Sequence, residues 1–179
     1  WAVNNVTSRL FRLLPSSDGF TPDAANGWAT GKLLRYPGGN GAPDSEGVTL
    51  GKNAADGVYV CAEHDADDSA TSRLSVLRYD ASAAGGSLTA THEWNLTALL
   101  PSVEANAGLE AISWLPDDYL VERGFIDDNE KSAYVPAHYP GHGSGVFVVG
   151  VEATGELHLL ALSHTDSSAT LLATVASPN

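Results

Sequence analysis

The sequence predicts an all-β chain: a partial β-propeller of about three four-stranded antiparallel blades, the first of them incomplete. Three observations predict it. Thr7-Ser8-Arg9-Leu10 recurs 64 positions later as Thr71-Ser72-Arg73-Leu74, with a weaker third copy at Thr154-Gly155-Glu156-Leu157. The same offset links Glu46 to Glu110. Short apolar segments, parted by Gly, Pro, Asn, Asp and Ser, fill the rest with hardly any sustained helical period. Units that repeat in this way stack because none buries its apolar faces alone. Four-stranded units mark propeller blades, and a β-sandwich is the competing architecture. A sandwich, however, has no need of a carboxylate at one fixed position per unit.

Taken in order, strands at 1–3, 8–14 and 32–36 make a first unit whose missing strand would precede residue 1. Strands at 46–50, 57–63, 73–79 and 88–96 make the second unit, and 109–115, 145–152, 156–163 and 170–176 the third. In the last of these units, Leu157, Leu159 and Ala161 fall on one face and His158, Leu160 and Leu162 on the other. Both faces are apolar, as in a sheet packed on both sides. Turn residues at 80–87 and 165–168 predict hairpins between neighbouring strands. An insertion at 116–144 separates the first two strands of the third unit, reads as a packed excursion, and allows a short helical turn at 118–123. The chain 1–179 is expected to be one partial domain. Since propellers have roughly four to eight blades, it is expected to be a fragment of a larger ring. The missing blades would come from the rest of the parent chain or from another subunit.

Composition narrows the partners. Asp and Glu number 22 against 9 Lys and Arg, a formal charge of -13. Nucleic acid and anionic membranes both need a basic surface, so neither is expected. Cations, basic partners, or a small anionic substrate held through a bridging metal remain. No apolar run reaches the roughly 18 to 20 residues of a membrane span. Cys61 is alone and lies in the apolar run 58–62, so it reads as a small buried core residue. Asn5-Val6-Thr7 and Asn95-Leu96-Thr97 fit the glycosylation acceptor pattern.

The repeated carboxylates carry the chemistry. In a four-stranded blade the innermost strand begins, and the second ends, at the same end. Glu46 and Glu110 open innermost strands, while Glu63 and Glu152 close second strands, with Asn5 in the corresponding place of the first unit. All five would meet at one mouth of the central channel. Like charges so placed repel unless a cation joins them, and an oxygen-rich, cysteine-free set suits calcium. Alternatively, each Glu caps a turn or pairs with Arg9 or Arg73.

Other motifs weaken on inspection. Asp65, Asp67 and Ser69 copy the first ligands of a helix-loop-helix calcium loop, but Ala70 and Val76 stand where Gly and Glu are required, leaving a solvated acidic turn, with a calcium-binding surface loop as the alternative. Around Ser144, His142 and Val146 occupy the positions that a nucleophile elbow gives to Gly. His138 and His142 are separated by Pro140 and Gly141, which prevent the helix that would put both on one face.

The pairs Glu46-Gly47-Val48-Thr49 with 58–63, and Gly108-Leu109-Glu110-Ala111-Ile112 with 147–152, together with Arg78-Tyr79-Asp80, resemble the phytase-like (esterase-like) β-propeller proteins of bacteria. The likeness runs from residue 1 to about 176. It implies a secreted or extracytoplasmic propeller and calcium-assisted hydrolysis of phosphomonoesters. Glu46, Glu63, Glu110 and Glu152 would hold the metal, and Arg9, Arg73 and His64 would face the substrate. The other expectation is a non-catalytic propeller scaffold for a glycan, peptide or partner protein, in which calcium only stabilises the fold.

Overall fold

The computed structural model describes residues 1–5 and 7–176; Val6, inside the first glycosylation tripeptide, and residues 177–179 lie outside the described residues. The chain is all-β, with one α-helix among those residues. The strands are β1 (Ala2–Asn4), β2 (Arg9–Phe11), β3 (Leu13–Ser16), β4 (Gly19–Pro22) and β5 (Lys32–Arg35). They continue with β6 (Pro43–Leu50), β7 (Val58–Asp65), β8 (Asp68–Tyr79), β9 (Ser87–Thr89) and β10 (His92–Asn95). After these come β11 (Leu109–Pro116), helix α1 (Asp117–Glu122), β12 (Ile126–Asp127), β13 (Ser132–Ala133), β14 (Gly145–Val151), β15 (Glu156–Leu162) and β16 (Ala169–Val175).

Three four-stranded sheets result, ordered β1-β2-β5-β9, β6-β7-β8-β10 and β11-β14-β15-β16. All neighbours are antiparallel except β5 and β9. β7 explains why the sheets lie face to face, because its successive residues are buried on both sides. Tyr59 and Cys61 join Val76 and Trp94 in a core shared with Phe147, Val149 and Leu160 of the third sheet. Val58, Val60 and Ala62, on the opposite face, pack with Leu10, Leu34 and Leu88 of the first. The leading strands of the second and third sheets adjoin, β6 lying against β11, and β1 of the first sheet also lies against β6.

Several expected elements differ. The segment 88–96 is two strands in two sheets. The Ala90 amide donates to the Arg35 carbonyl at 2.9 Å, and the next amide, Thr91, donates to Arg78 at 2.8 Å. Residues 80–86 therefore cross from the second sheet to the first and do not close a hairpin. β9 supplies the first sheet with a fourth strand at its far side. The place beside β1 that β6 and β11 hold in the other two sheets is filled by no strand among the described residues. The segment 8–14 breaks at Arg12, where β3 leaves to pair with β4 in a separate two-stranded ribbon.

The insertion packs. Leu120, Tyr134 and Tyr139 cover Val146, Leu159 and Leu172 on the outer face of the third sheet. Tyr134 donates to Asp117 at 2.8 Å, and Tyr139 donates to Asp127. Cover is partial: the cross-strand partners Leu157 and Val175, on the same outer face, stay 43 % and 49 % exposed.

Candidate cation-binding rim

Two of the four predicted glutamates occupy β-bulges. Along β6 the register passes from Ser45 opposite Ala62 to Gly47 opposite Cys61, leaving Glu46 without a cross-strand partner. Along β11 it passes from Leu109 opposite Val151 to Ala111 opposite Gly150, leaving Glu110 in the same state. A bulge re-aims the side chain it frees, so two equivalent residues, 64 apart, are redirected by the same local device. Glu63 sits at a third irregularity, where β7 and β8 shift register between Ala62 and His64.

Hydrogen bonds tie these residues together across sheets. Asn5 of the first sheet's loop donates to Glu46 of the second at 3.2 Å. The Gly108 amide donates to the Glu63 carboxylate at 2.8 Å. The Gly108 carbonyl accepts the Glu152 amide, also at 2.8 Å. Gly108 is required to be bare: a Cβ there would stand 2.7 Å from Glu63 Cβ and 2.5 Å from Leu74 Cδ2. Burial pushes the carboxyls of Glu46, Glu63 and Glu110 upward, and neighbouring carboxylates add to it. Glu46 feels Asp44 and Glu152, Glu63 feels Glu46, Asp44 and Glu110, and Glu110 feels Glu46 and Glu152. Among the described residues, no Lys or Arg pairs with Glu46, Glu110 or Glu152.

Sequence reasoning missed Asp44. Its carboxylate, that of Glu63 and the His64 ring each offer an atom within 4.8 Å of the others. His64 Nδ1 bonds the Ala105 carbonyl at 3.0 Å and so carries the proton, and Nε2 faces Asp44 at 3.3 Å. That second contact is attractive only when Nε2 carries a proton or a metal ion bridges the pair. Position 44 precedes the repeated glutamate by two residues, and position 108 of the next unit holds Gly, so the repeat gave no sign of it.

The expected substrate-facing residues lie elsewhere. Arg9 donates to the carbonyls of Thr30 and Gly31 at 3.1 and 2.9 Å. Arg73 makes a two-pronged pair with Glu93 at 2.9 and 2.8 Å, and its guanidinium stacks 3.7 Å from the Tyr36 ring centroid. His64 is buried with both ring nitrogens engaged. Asp65, first of the acidic loop, accepts the amides of Ala42 and Asp67 and therefore organises a turn. Ser144 has no base beside it, because both nitrogens of His142 are committed, Nδ1 to Tyr139 and Nε2 to Asp117. Cys61 is buried, and its thiol is pushed up to about 12 by that burial.

A pH dependence follows from the glutamates. Carboxyls raised in the folded state bind protons more tightly there than in the unfolded chain. Their contribution to stability is therefore full below about pH 4.3 and is lost as pH rises through the folded values. In chelator, the melting temperature of the native protein relative to Glu46→Gln/Glu110→Gln should fall as pH increases from 5 to 7. A flat difference across that range would contradict the crowding of these charges.

Compared with known proteins, the chain matches no family model, no curated protein and no solved structure.

Proposed function

We propose that the three sheets are successive blades of a β-propeller whose acidic rim holds a calcium ion, and that the protein is a secreted binding scaffold. The carrying observation is the matched pair of bulges, which frees Glu46 and Glu110 of adjoining sheets from cross-strand pairing, with no Lys or Arg ion-paired to either among the described residues. The adjoining leading strands β6 and β11 support the propeller reading, because innermost strands neighbour one another around a channel. Further blades, from the same product or from another subunit, would pack on the uncovered outer face at Leu157 and Val175. Glu46, Glu110 and Glu152 offer hard oxygen donors that fit calcium, which takes six to eight oxygens in flexible geometry. Millimolar calcium outside cells suffices for a weak site of this kind.

The resemblance to phytase-like propellers also implies phosphomonoester hydrolysis. That reaction needs cations on the substrate phosphate, and Arg73 and Arg9 are held by Glu93 and by backbone carbonyls, which favours the scaffold reading. Calcium should raise the melting temperature of the native protein and chelator should reverse the rise, without release of product from a phosphomonoester. Glu46→Gln/Glu110→Gln should raise the melting temperature of the ion-free protein and abolish the calcium response, because the substitution removes both repulsion and ligands. A calcium response retained in that variant would refute the assignment.

A further inference from the structure

At the other end of the same strands, away from the carboxylate rim, a cavity of about 350 Å³ opens between the second and third sheets. Aromatic rings form part of its wall. Tyr59 and Phe147 lie with ring centroids 4.5 Å apart, and Trp114 forms another side. The Trp114 indole rests on bare backbone at Gly145, where a Cβ would come within 2.5 Å of the ring. This cradle fixes the indole plane.

The histidines of the cavity are already committed. His164 Nδ1 bonds the Gly141 carbonyl at 3.1 Å and its Nε2 bonds the Tyr59 hydroxyl at 2.9 Å, and that hydroxyl also reaches the Asp56 carbonyl at 3.2 Å. Burial holds the His164 pKa below its ordinary value, in keeping with a neutral ring. His92 Nε2 bonds the His164 carbonyl at 3.1 Å while its ring stacks on Trp94. These rings shape the cavity and leave no imidazole nitrogen in it for a metal or for proton transfer.

Two cations are differently placed. Arg78 is anchored through Nε to the Asp56 carbonyl at 2.7 Å and through Nη1 to Thr91 at 3.3 Å, with its guanidinium beside the Tyr59 hydroxyl at the cavity wall. Lys52 is exposed at the mouth and makes no ion pair among the described residues. The one carboxylate in the lining, Asp56, accepts the Asn53 amide. In a chain of charge -13, this is a locally positive, aromatic-walled cavity.

We infer that this cavity binds a small aromatic carboxylate, its ring against Trp114 and Phe147 and its carboxylate on Arg78 and Lys52. Charge-assisted bonds from an anchored guanidinium suit a planar carboxylate, and the volume suits a ligand of about a dozen heavy atoms. The inference is independent of calcium at the rim.

The test is titration of the full chain with 2-naphthoate and with 2-naphthamide, followed by tryptophan fluorescence and calorimetry, with and without chelator. Naphthoate should saturate a single site with a dissociation constant on the order of 0.1–1 mM. The uncharged amide should bind about tenfold more weakly. Lys52→Gln, an exposed substitution that spares the fold, should weaken naphthoate severalfold, and Arg78→Gln should weaken it about tenfold. Chelator should change nothing, which separates this site from the rim. Absence of saturation at 10-fold above that range (about 10 mM), equal affinity for the amide, or loss of binding in chelator would each overturn the inference.

Discussion

Replacing Gly47 with valine should cost about 3 kcal/mol of stability, the upper range for overpacking a tight core. Gly47 follows the bulged Glu46, and its φ is not in the left-handed region, so backbone freedom is not the reason for glycine. Space is. A Cβ here would lie 2.9 Å from Cys61 Sγ, 3.0 Å from the Ile112 nitrogen and 3.2 Å from Ala111 Cα. Two of those three neighbours are backbone atoms of β11, which cannot rotate away. Valine must push β6 from β11 along the seam where Glu46 and Glu110 approach, and it opens the core that holds Cys61 and Val149. Urea denaturation would read the loss, and a midpoint unchanged from the native protein would show that the strands do not meet here. Gly47→Ala should fall in between and should weaken the calcium response before it unfolds the chain.

Trp94→Ala should be as damaging, at about 3–5 kcal/mol. Trp94 is fully buried on β10, the last strand of the second sheet, yet its Nε1 donates to the Ser163 carbonyl beyond β15 at 2.8 Å. Its ring also meets His164 edge-on, with centroids 5.0 Å apart. One side chain thus fills the core between two sheets and fixes the loop that carries His164. Trp94→Phe keeps most of the volume but leaves the Ser163 carbonyl without its donor, and should lose about 1–3 kcal/mol. If phenylalanine and alanine proved equally harmful, the hydrogen bond rather than the packing would dominate. Thermal and denaturant unfolding of the two variants distinguishes these cases.

The same tryptophan shows why the sequence was partly misleading. Leu88, Ala90, Trp94 and Leu96 are all buried and all fall on even positions, so 88–96 reads as one alternating strand. Alternation reports which side is buried, not which sheet a strand joins. Here Ala90 faces the core between the first two sheets and Trp94 the core between the last two, and the switch lies in two successive amides. The β3–β4 ribbon escaped notice for the opposite reason: with Phe20 exposed and neither face covered, it has no burial pattern to leave in the sequence. By contrast, β7, β14 and β15 are buried on both faces, and their apolar runs were plain.

For the site, the repeat was informative because it preserved a backbone device as well as a residue type. Glu46 and Glu110 lie at matching bulges, and a 64-residue offset is visible without any knowledge of bulges. Asp44 and His64 have no counterparts in the third unit, where Gly108 and Ala153 take their places, so spacing was silent about them. The aromatic cavity was beyond reach for another reason. Tyr59 and His164 are joined by one hydrogen bond across 105 positions, and only the stacking of the second sheet on the third brings them together.

The most direct test is anomalous diffraction from crystals soaked in terbium, an ion that takes calcium's oxygen ligands. The account predicts a peak at the rim, ligated by carboxylate oxygens of Glu46, Glu110 and Glu152, that vanishes in Glu46→Gln/Glu110→Gln. Terbium bound only at other acidic surfaces, with those three side chains turned away from one another, would contradict it.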